Sequence, residues 1–188
     1  MKTKEKILLE SMKLFSTNGF DAVSIRTIAD AVGIGNSGLY KHFSGKQEIL
    51  DCIVEQSKAN FCQQYQEVSY RNETVEEWKK ACMKMFHFQI QNEWMCMFRK
   101  LLMIEQFKNP QMAQLYREFF IELPIQSQKK IFEECINAGL VKNVDPEVLA
   151  MELYAPFFMY HTIQKDNLED LLLAHIDNFF DSCIIKTK

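Results

Sequence analysis

Glycine and proline are scarce in this 188-residue chain, with six and four copies. So few turn-forming residues exclude collagen-like chains, flexible linkers and turn-rich all-β domains. Long apolar runs are missing too, because the longest stretch without a charged residue, Leu153–Gln164, is shorter than the ~20 residues of a membrane-spanning helix. The amino terminus has lysines with no apolar run behind them, so we expect neither a signal peptide nor a membrane partner.

The sequence motifs of common enzymes and metal sites are also missing. There is no GxSxG, HExxH or P-loop and no Cys/His pair with the spacing of a nucleophile and its base, so we expect no catalytic activity. Metal-ligand spacing is lacking around His42, His87, His161 and His175, and we expect neither a metal nor another cofactor. The six cysteines form no CxxC pair, which favours reduced, inert thiols in a cytoplasmic protein, with a thiol switch as the alternative.

An excess of positive charge, usual in nucleic-acid-binding domains, is lacking in the chain as a whole. The 22 basic and 25 acidic residues give a net charge of −3. The distribution is uneven, because residues 1–46 carry seven basic and four acidic side chains, a net +3, and the remaining residues carry −6. The amino-terminal segment is therefore the part of the chain suited to an anionic partner.

Apolar residues recur at helical spacing in nearly every segment, and no segment alternates at period two for long. We therefore predict an all-α protein of about nine helices. Pro124 should kink the long helix that contains it. Capping signals mark four helix ends. They are Asn18-Gly19 after the first helix, Ser24 before the second, Gly139 after a later helix, and Asp145-Pro146 before the next.

The final two predicted helices differ from the others. Val148–Ile163 is apolar nearly all round, and a helix without a polar face is buried on more than one side. The last helix has an apolar stripe that needs a neighbour, either the domain core or a second copy of the chain. We predict that this stripe forms a homodimer interface. Its residues are Leu168, Leu171, Leu172, His175, Ile176, Phe179 and Phe180.

Residues 24–46 contain two short predicted helices joined at Gly33, which is the pattern of a helix-turn-helix. Gly33 permits a left-handed turn at little steric cost. Two further glycines weaken the second helix, so docking through Leu39 and Phe43 has to hold it. Small residues in such a helix allow close approach to the major groove of DNA, and a purely structural helical hairpin is the alternative.

Residues 5–50 resemble the DNA-binding domain of TetR-family (tetracycline repressor) transcriptional regulators. The most specific part of the resemblance is Leu39-Tyr40-Lys41-His42-Phe43 followed by Lys46. It implies a three-helix, helix-turn-helix DNA-binding domain over residues 1–46 and a larger helical domain over residues 47–188, which binds an effector and dimerises through its last two helices. The DNA contacts that it implies are Arg26, Thr27, Asn36, Ser37, Tyr40, Lys41, His42 and Lys46.

Six of the ten methionines fall between Met83 and Met112, among several aromatic residues. Thioethers and aromatic rings adapt to varied apolar shapes, which suits a pocket for a small lipophilic or aromatic effector. The same pattern is typical of a protein core, and both interpretations stay open here. The candidate effector contacts are Phe86, His87, Trp94, Phe98, Met103, Phe107, Tyr116, Phe120, Phe157 and His161.

Together these features predict a homodimeric, ligand-responsive transcriptional regulator. In its simplest form it is a repressor that a small effector releases from a pseudo-palindromic double-stranded DNA operator. The two copies of Asn36–His42 should enter major grooves about one helical turn, ~34 Å, apart. For Lys2, Lys4 and Lys6, a solvated terminus and a DNA contact are both open. The alternative function is a helical small-molecule-binding protein whose first domain is only a scaffold.

Overall fold

The computed structural model describes residues 2–67, 74–156, 158–159 and 168–185. These residues confirm the all-α prediction, because the only extended pairing within them is one antiparallel bridge between Val141 and Ile184. No helix in the described ranges is both long and apolar enough to cross a membrane. The helices are α1 (Thr3–Asn18), α2 (Ile25–Val32), α3 (Asn36–Tyr40), α4 (Lys46–Glu67), α5 (Val75–Gln91), α6 (Glu93–Glu105), α7 (Pro110–Arg117), α8 (Leu123–Asn137), α9 (Pro146–Tyr154) and α10 (Leu168–Cys183).

The chain divides into two compact units. The first unit contains the described residues of Met1–Glu67 and Gln91–Tyr116, and the second contains those of Val68–Ile90 and Arg117–Lys188. In the first unit α1 packs against α2, α4 and α6. Helices α1–α3, which we call the head, therefore share a unit with α6 from the middle of the chain. The predicted domain boundary after residue 46 stays a prediction.

The predicted helix-turn-helix is stabilised by local hydrogen bonds at both ends of α2. Ser24 caps α2, because its Oγ accepts a hydrogen bond from the Thr27 N–H at 3.0 Å. Gly33 ends α2 with φ of +79°, and its N–H donates to the carbonyls of Ala29 and Asp30. The glycine thus supplies the left-handed turn that the sequence predicted, and the chain can enter α3 at once.

Helix α8 is preceded by a five-residue π-helical turn, Glu118–Glu122, which joins it to α7 in one continuous helix. Pro124 has no N–H to donate to the Phe120 carbonyl. The hydroxyl of Tyr154 in α9 donates to that carbonyl at 3.0 Å and so satisfies it. The position of the predicted kink thus has a wider helical turn, and the Phe120 carbonyl there accepts from a side chain of α9.

The core of the second unit is built from aromatic side chains of α5, α8 and α10. The Trp78 ring lies 4.9 Å from Phe132 and 4.8 Å from Phe180, both between ring centroids. Phe132 and Phe180 are fully buried. Edge-on ring pairs at such distances add to the free energy gained by burying the rings.

Replacing Gly33 with alanine should lower the free energy of unfolding by ~1–2 kcal/mol, because a Cβ disfavours the left-handed conformation. A Cβ at Gly33 would meet nothing within 4 Å, so the loss is backbone strain alone. Gly45→Ala is the matched control, since that site is equally open and its φ is not positive. Urea unfolding measures both variants, and equal losses would contradict the assignment.

Candidate functional site

The short helix α3 has one side docked on the head and the other side exposed. Leu39 is fully buried and Phe43, just after the helix, is 1% exposed. The polar residues between and around them face outward, and Tyr40 is 56% exposed. Of the eight side chains predicted to contact DNA, seven are exposed. They are Arg26, Thr27, Asn36, Ser37, Tyr40, Lys41 and His42.

The start of α3 lacks a side-chain cap, because Gly35 occupies the N-cap position. This agrees with the sequence, in which glycine stands where Ser or Thr would cap the helix. Thr27 is already engaged locally, since its Oγ1 lies 2.8 Å from the Oγ of Ser24. Arg26 lies 3.9 Å from Asp30 in a fully solvated pair, which is too weak to hold the guanidinium away from a partner.

Lys46, the eighth predicted DNA contact, is half-buried and holds the loop between α1 and α2. Its Nζ donates to the Phe20 carbonyl at 2.7 Å and to that of Asp21 at 3.5 Å. The same ammonium lies 4.2 Å from the centroid of the Phe20 ring. Lys46 therefore fixes the head to the start of α4, a role that the sequence did not predict.

Two of the amino-terminal lysines also have partners within the head. The Nζ of Lys6 donates to the Val32 carbonyl at the end of α2, at 2.7 Å. Lys4 lies 5.2 Å from the centroid of the Phe43 ring. A cation at a helix carboxyl end is favoured by the helix dipole, so the first of these contacts stabilises α2.

The amino end of α4 is occupied by a carboxylate. Glu48 accepts hydrogen bonds from the N–H and the Oγ of Ser44, at 2.6 and 2.7 Å. These bonds, led by the one from the Ser44 backbone, lower the pKa of Glu48. An anionic group thus occupies the helix start, where the helix dipole favours negative charge.

Comparison with known proteins agrees with this geometry. Residues 7–53 match the family described as bacterial regulatory proteins, tetR family. This amino-terminal segment of the chain belongs to the TetR family. The matched residues include all of α2 and α3 and the first turns of α4, so the TetR-family segment is the one with the exposed recognition helix.

Two curated relatives are named as HTH-type transcriptional regulators. YerO of Bacillus subtilis is 40% identical over 47 residues, which are 25% of this chain and 16% of YerO. UidR of Escherichia coli K12 is 24% identical over 115 residues, 61% of this chain and 57% of UidR. The chain thus spans less than two thirds of either relative. Both names agree with the prediction of a transcriptional regulator.

A solved structure extends the likeness to the whole chain. It is that of SmeT, described as the repressor of the Stenotrophomonas maltophilia multidrug efflux pump SmeDEF. It matches with a TM-score of 0.68 and 19% identity over 99% of this chain and 92% of SmeT. The second, divergent part of the TetR-family fold is therefore present, although its sequence has little in common with that of SmeT.

The candidate effector contacts fall in both units. In the first unit, Phe98 is fully buried, Met103 and Tyr116 are half-buried, and Phe107 is 88% exposed. Burial raises the pKa of the Tyr116 phenol, so the hydroxyl stays protonated at neutral pH. Trp94 donates from Nε1 to the Oγ of buried Ser57 at 2.8 Å, which joins α6 to α4.

In the second unit, Phe86 and Phe120 are buried, and His87 is partly exposed. The Nε2 of His87 lies 3.0 Å from an oxygen of Glu169, so this contact connects α5 to α10. Phe157 and His161 lie outside the described residues.

An open groove of about 400 Å³ runs between α5 and α10 in the second unit. Its apolar part consists of Met83, Leu173 and Ile176, and lysines line its edge. Among the predicted effector contacts that the structure describes, His87 alone lies in its lining. The groove therefore does not gather the effector residues that the sequence suggested.

The predicted dimer stripe on α10 divides into a buried and an exposed part. Leu171 is 47% exposed, and the side chain of Leu168 lies outside the description. His175 is half-buried, and its Nε2 has no partner among the described residues. The remaining four residues of the stripe lie in the core of their own chain. They are Leu172, Ile176, Phe179 and Phe180.

Helix α9 has a face that the second-unit core leaves uncovered. Leu149, Ala150 and Leu153 are buried, whereas Val148 is 44% and Met151 53% exposed. The sequence predicted burial on more than one side of this helix. The described residues of one chain cover only one of those sides.

Two of the six cysteines, Cys82 and Cys183, have the environment of structural thiols. Burial raises the pKa of Cys82 to about 12 and that of Cys183 to about 11. Because the thiolate is the reactive form, both thiols are inert at neutral pH. The described residues also hold no cluster of His, Cys, Asp and Glu that could bind a metal ion.

We expect iodoacetamide at pH 8 to alkylate exposed Cys62 in the native protein and to spare Cys82 and Cys183. The raised pKa values leave the two buried thiols almost entirely protonated at that pH, and burial blocks the reagent. Mass spectrometry of tryptic peptides locates the label, and urea-unfolded protein is the control in which all six react. Labelling of Cys82 as fast as that of Cys62 would refute this assignment.

Proposed function

We propose that the chain is a cytoplasmic homodimeric repressor, which leaves its DNA operator when it binds a small lipophilic or aromatic molecule. The observation that carries the proposal is the exposure of the polar side of α3, while Leu39 and Phe43 hold its apolar side in the head. A helix held in this way presents amide, hydroxyl, ammonium and imidazole groups together, and these are the groups that bind base edges and phosphates.

Two kinds of DNA contact follow from the side chains that α3 exposes. The Asn36 amide suits a bidentate pair of hydrogen bonds with adenine in the major groove. Tyr40, Lys41 and His42 suit backbone phosphates, which position a protein without reading sequence. Lys46 supports the head through Phe20, and a phosphate contact would add to that role.

The dimer in this proposal rests on the uncovered apolar side chains of α9 and α10. Val148 and Met151 lie one turn apart on α9, and Leu171 is exposed near the start of α10. A second copy that covered them would bury apolar surface, which favours association by ~25 cal/mol per Å². The proposed interface thus keeps exposed Leu171 of the α10 stripe and replaces the buried residues of the stripe with exposed residues of α9.

The effector class is inferred from composition and from one relative. A structure described as the SmeT–triclosan complex matches this chain with a TM-score of 0.70 and 19% identity. The methionine and aromatic residues concentrated between Met83 and Met112 have the composition that suits ligands of that chemical kind. Release follows if the effector prefers a conformation in which the two recognition helices do not fit adjacent grooves.

Selection from random duplex DNA tests the proposal. The wild type should enrich one pseudo-palindromic sequence, and the double variant Asn36→Ala, Tyr40→Ala should enrich none. Both side chains are exposed, so their loss should leave the fold intact, which circular dichroism checks. Failure of the wild type to enrich any sequence would favour a small-molecule-binding protein with the head as a scaffold.

Single substitutions should separate the two kinds of contact. Lys41→Ala should weaken binding to all sequences and reduce the slope of log K against log salt by about 1, because one phosphate contact is lost. Asn36→Ala should cost ~1–3 kcal/mol and relax selectivity at one base position, with an unchanged salt slope. Fluorescence anisotropy over a range of salt concentrations measures both. A salt slope that changes equally in the two variants would contradict the assignment.

Met151→Asp should weaken the dimer by about tenfold or more, because it places an unpaired charge in the proposed interface. Phe107→Asp is the matched control, since that side chain is 88% exposed in the first unit, away from α9 and α10 along the chain. Light scattering at micromolar concentration follows the mass of both variants. A wild type that is monomeric there would remove the dimer from the proposal.

A further inference from the structure

The main chain of Phe20, between α1 and α2, is held from two sides. Its N–H donates to Oε1 of Glu105, the last residue of α6, at 2.9 Å. Its carbonyl accepts from Nζ of Lys46, the first residue of α4, at 2.7 Å. One peptide segment of the head thus connects two longer helices of the first unit. We call Glu105, Phe20 and Lys46 the Phe20 clamp.

The Glu105 side of this clamp is closely fitted. Glu105 is only 3% exposed, although it is a carboxylic acid. Gly19 leaves it no spare room, because a Cβ at Gly19 would come within 2.9 Å of Oε1 and 3.3 Å of the Ile104 side chain. The φ of Gly19 is +80°, so two independent features, conformation and contact, disfavour a side chain beside the carboxylate.

Burying a carboxylate is unfavourable in free energy, because the group loses its hydration. An apolar side chain of similar volume would avoid the desolvation cost. The carboxylate instead fixes the orientation of the Phe20 N–H, because a hydrogen bond to an anionic acceptor is stronger and more directional than an apolar contact. Its acceptor atom faces the segment that leads through buried Val23 into Ser24, the N-cap of α2.

We propose that Glu105 is a positioning residue for DNA binding. By holding the Phe20 N–H, it fixes the α1–α2 loop on α6 and so sets the orientation of α2 and α3 relative to α6, within the first unit. Lys46 completes the clamp from α4. The inference rests on the proposed function, because it assigns Glu105 a part in how the head meets an operator.

The first consequence concerns operator spacing. A dimer with fixed heads binds half-sites at one separation and rejects an operator with one base pair inserted at its centre. Heads that pivot tolerate the insertion. Glu105→Ala should therefore reduce the preference of the wild type for the selected operator over the inserted one by about tenfold, the worth of a charged hydrogen bond.

Glu105→Gln is the conservative variant, because its amide oxygen can still accept from the Phe20 N–H. It should keep the wild-type preference to within about threefold. Asn92→Ala is the matched control at the other end of α6, where it removes the N-cap hydrogen bond from the Met95 N–H without touching the head. It should also keep the preference, even if it lowers the melting temperature as much as Glu105→Ala does.

A second measurement does not depend on DNA. Hydrogen exchange followed by mass spectrometry should show faster exchange of residues 19–25 in Glu105→Ala than in the wild type, Glu105→Gln or Asn92→Ala, because the Phe20 N–H has lost its acceptor. If the wild type selects no DNA, the proposed function fails, and faster exchange confined to Glu105→Ala still supports the Phe20 clamp.

Three results would overturn the positioning role. The first is a Glu105→Ala variant with wild-type operator preference. The second is an equal loss of preference in Glu105→Gln, which would contradict the acceptor role of Oε1. The third is an equal loss in Asn92→Ala, because the effect would then follow from any weakening of α6.

Discussion

The docking of α3 on the head is the constraint on which the candidate site depends. A helix of five residues forms too few internal hydrogen bonds to persist in water, and glycines at its N-cap and within it weaken α3 further. Only the burial of Leu39 and Phe43 keeps it in place. The same contacts decide which side chains stay outside, so the recognition surface and the stability of the head have one origin.

Local chemistry made the boundaries of the head predictable. Ser24 and Gly33 act as the sequence indicated, because a cap needs only its own residue and the next turn. The partners of Lys46 and Glu105 could not be predicted in this way. Phe20 is 26 residues from Lys46 and 85 from Glu105 along the chain, so these contacts depend on tertiary packing.

The helical spacing of apolar residues was similarly limited as a predictor of contacts in the second unit. It predicted correctly that α9 and α10 each carry a large apolar surface, but a stripe does not reveal what covers it. The structure buries Ile176 and Phe180 within their own chain and leaves Met151 exposed. The effect of Pro124 was likewise visible only in part, because the donor to the Phe120 carbonyl comes from Tyr154 in another helix.

The chain has two tryptophans, and each compact unit contains one of them. Trp78 lies among phenylalanine rings in the core of the second unit, whereas Trp94 is half-buried in the first and hydrogen-bonded to Ser57. An indole that loses a hydrogen bond and one that loses aromatic neighbours change their emission differently. The protein therefore carries an intrinsic fluorescent reporter for each unit, and two single-tryptophan variants can show whether the units unfold together or in succession.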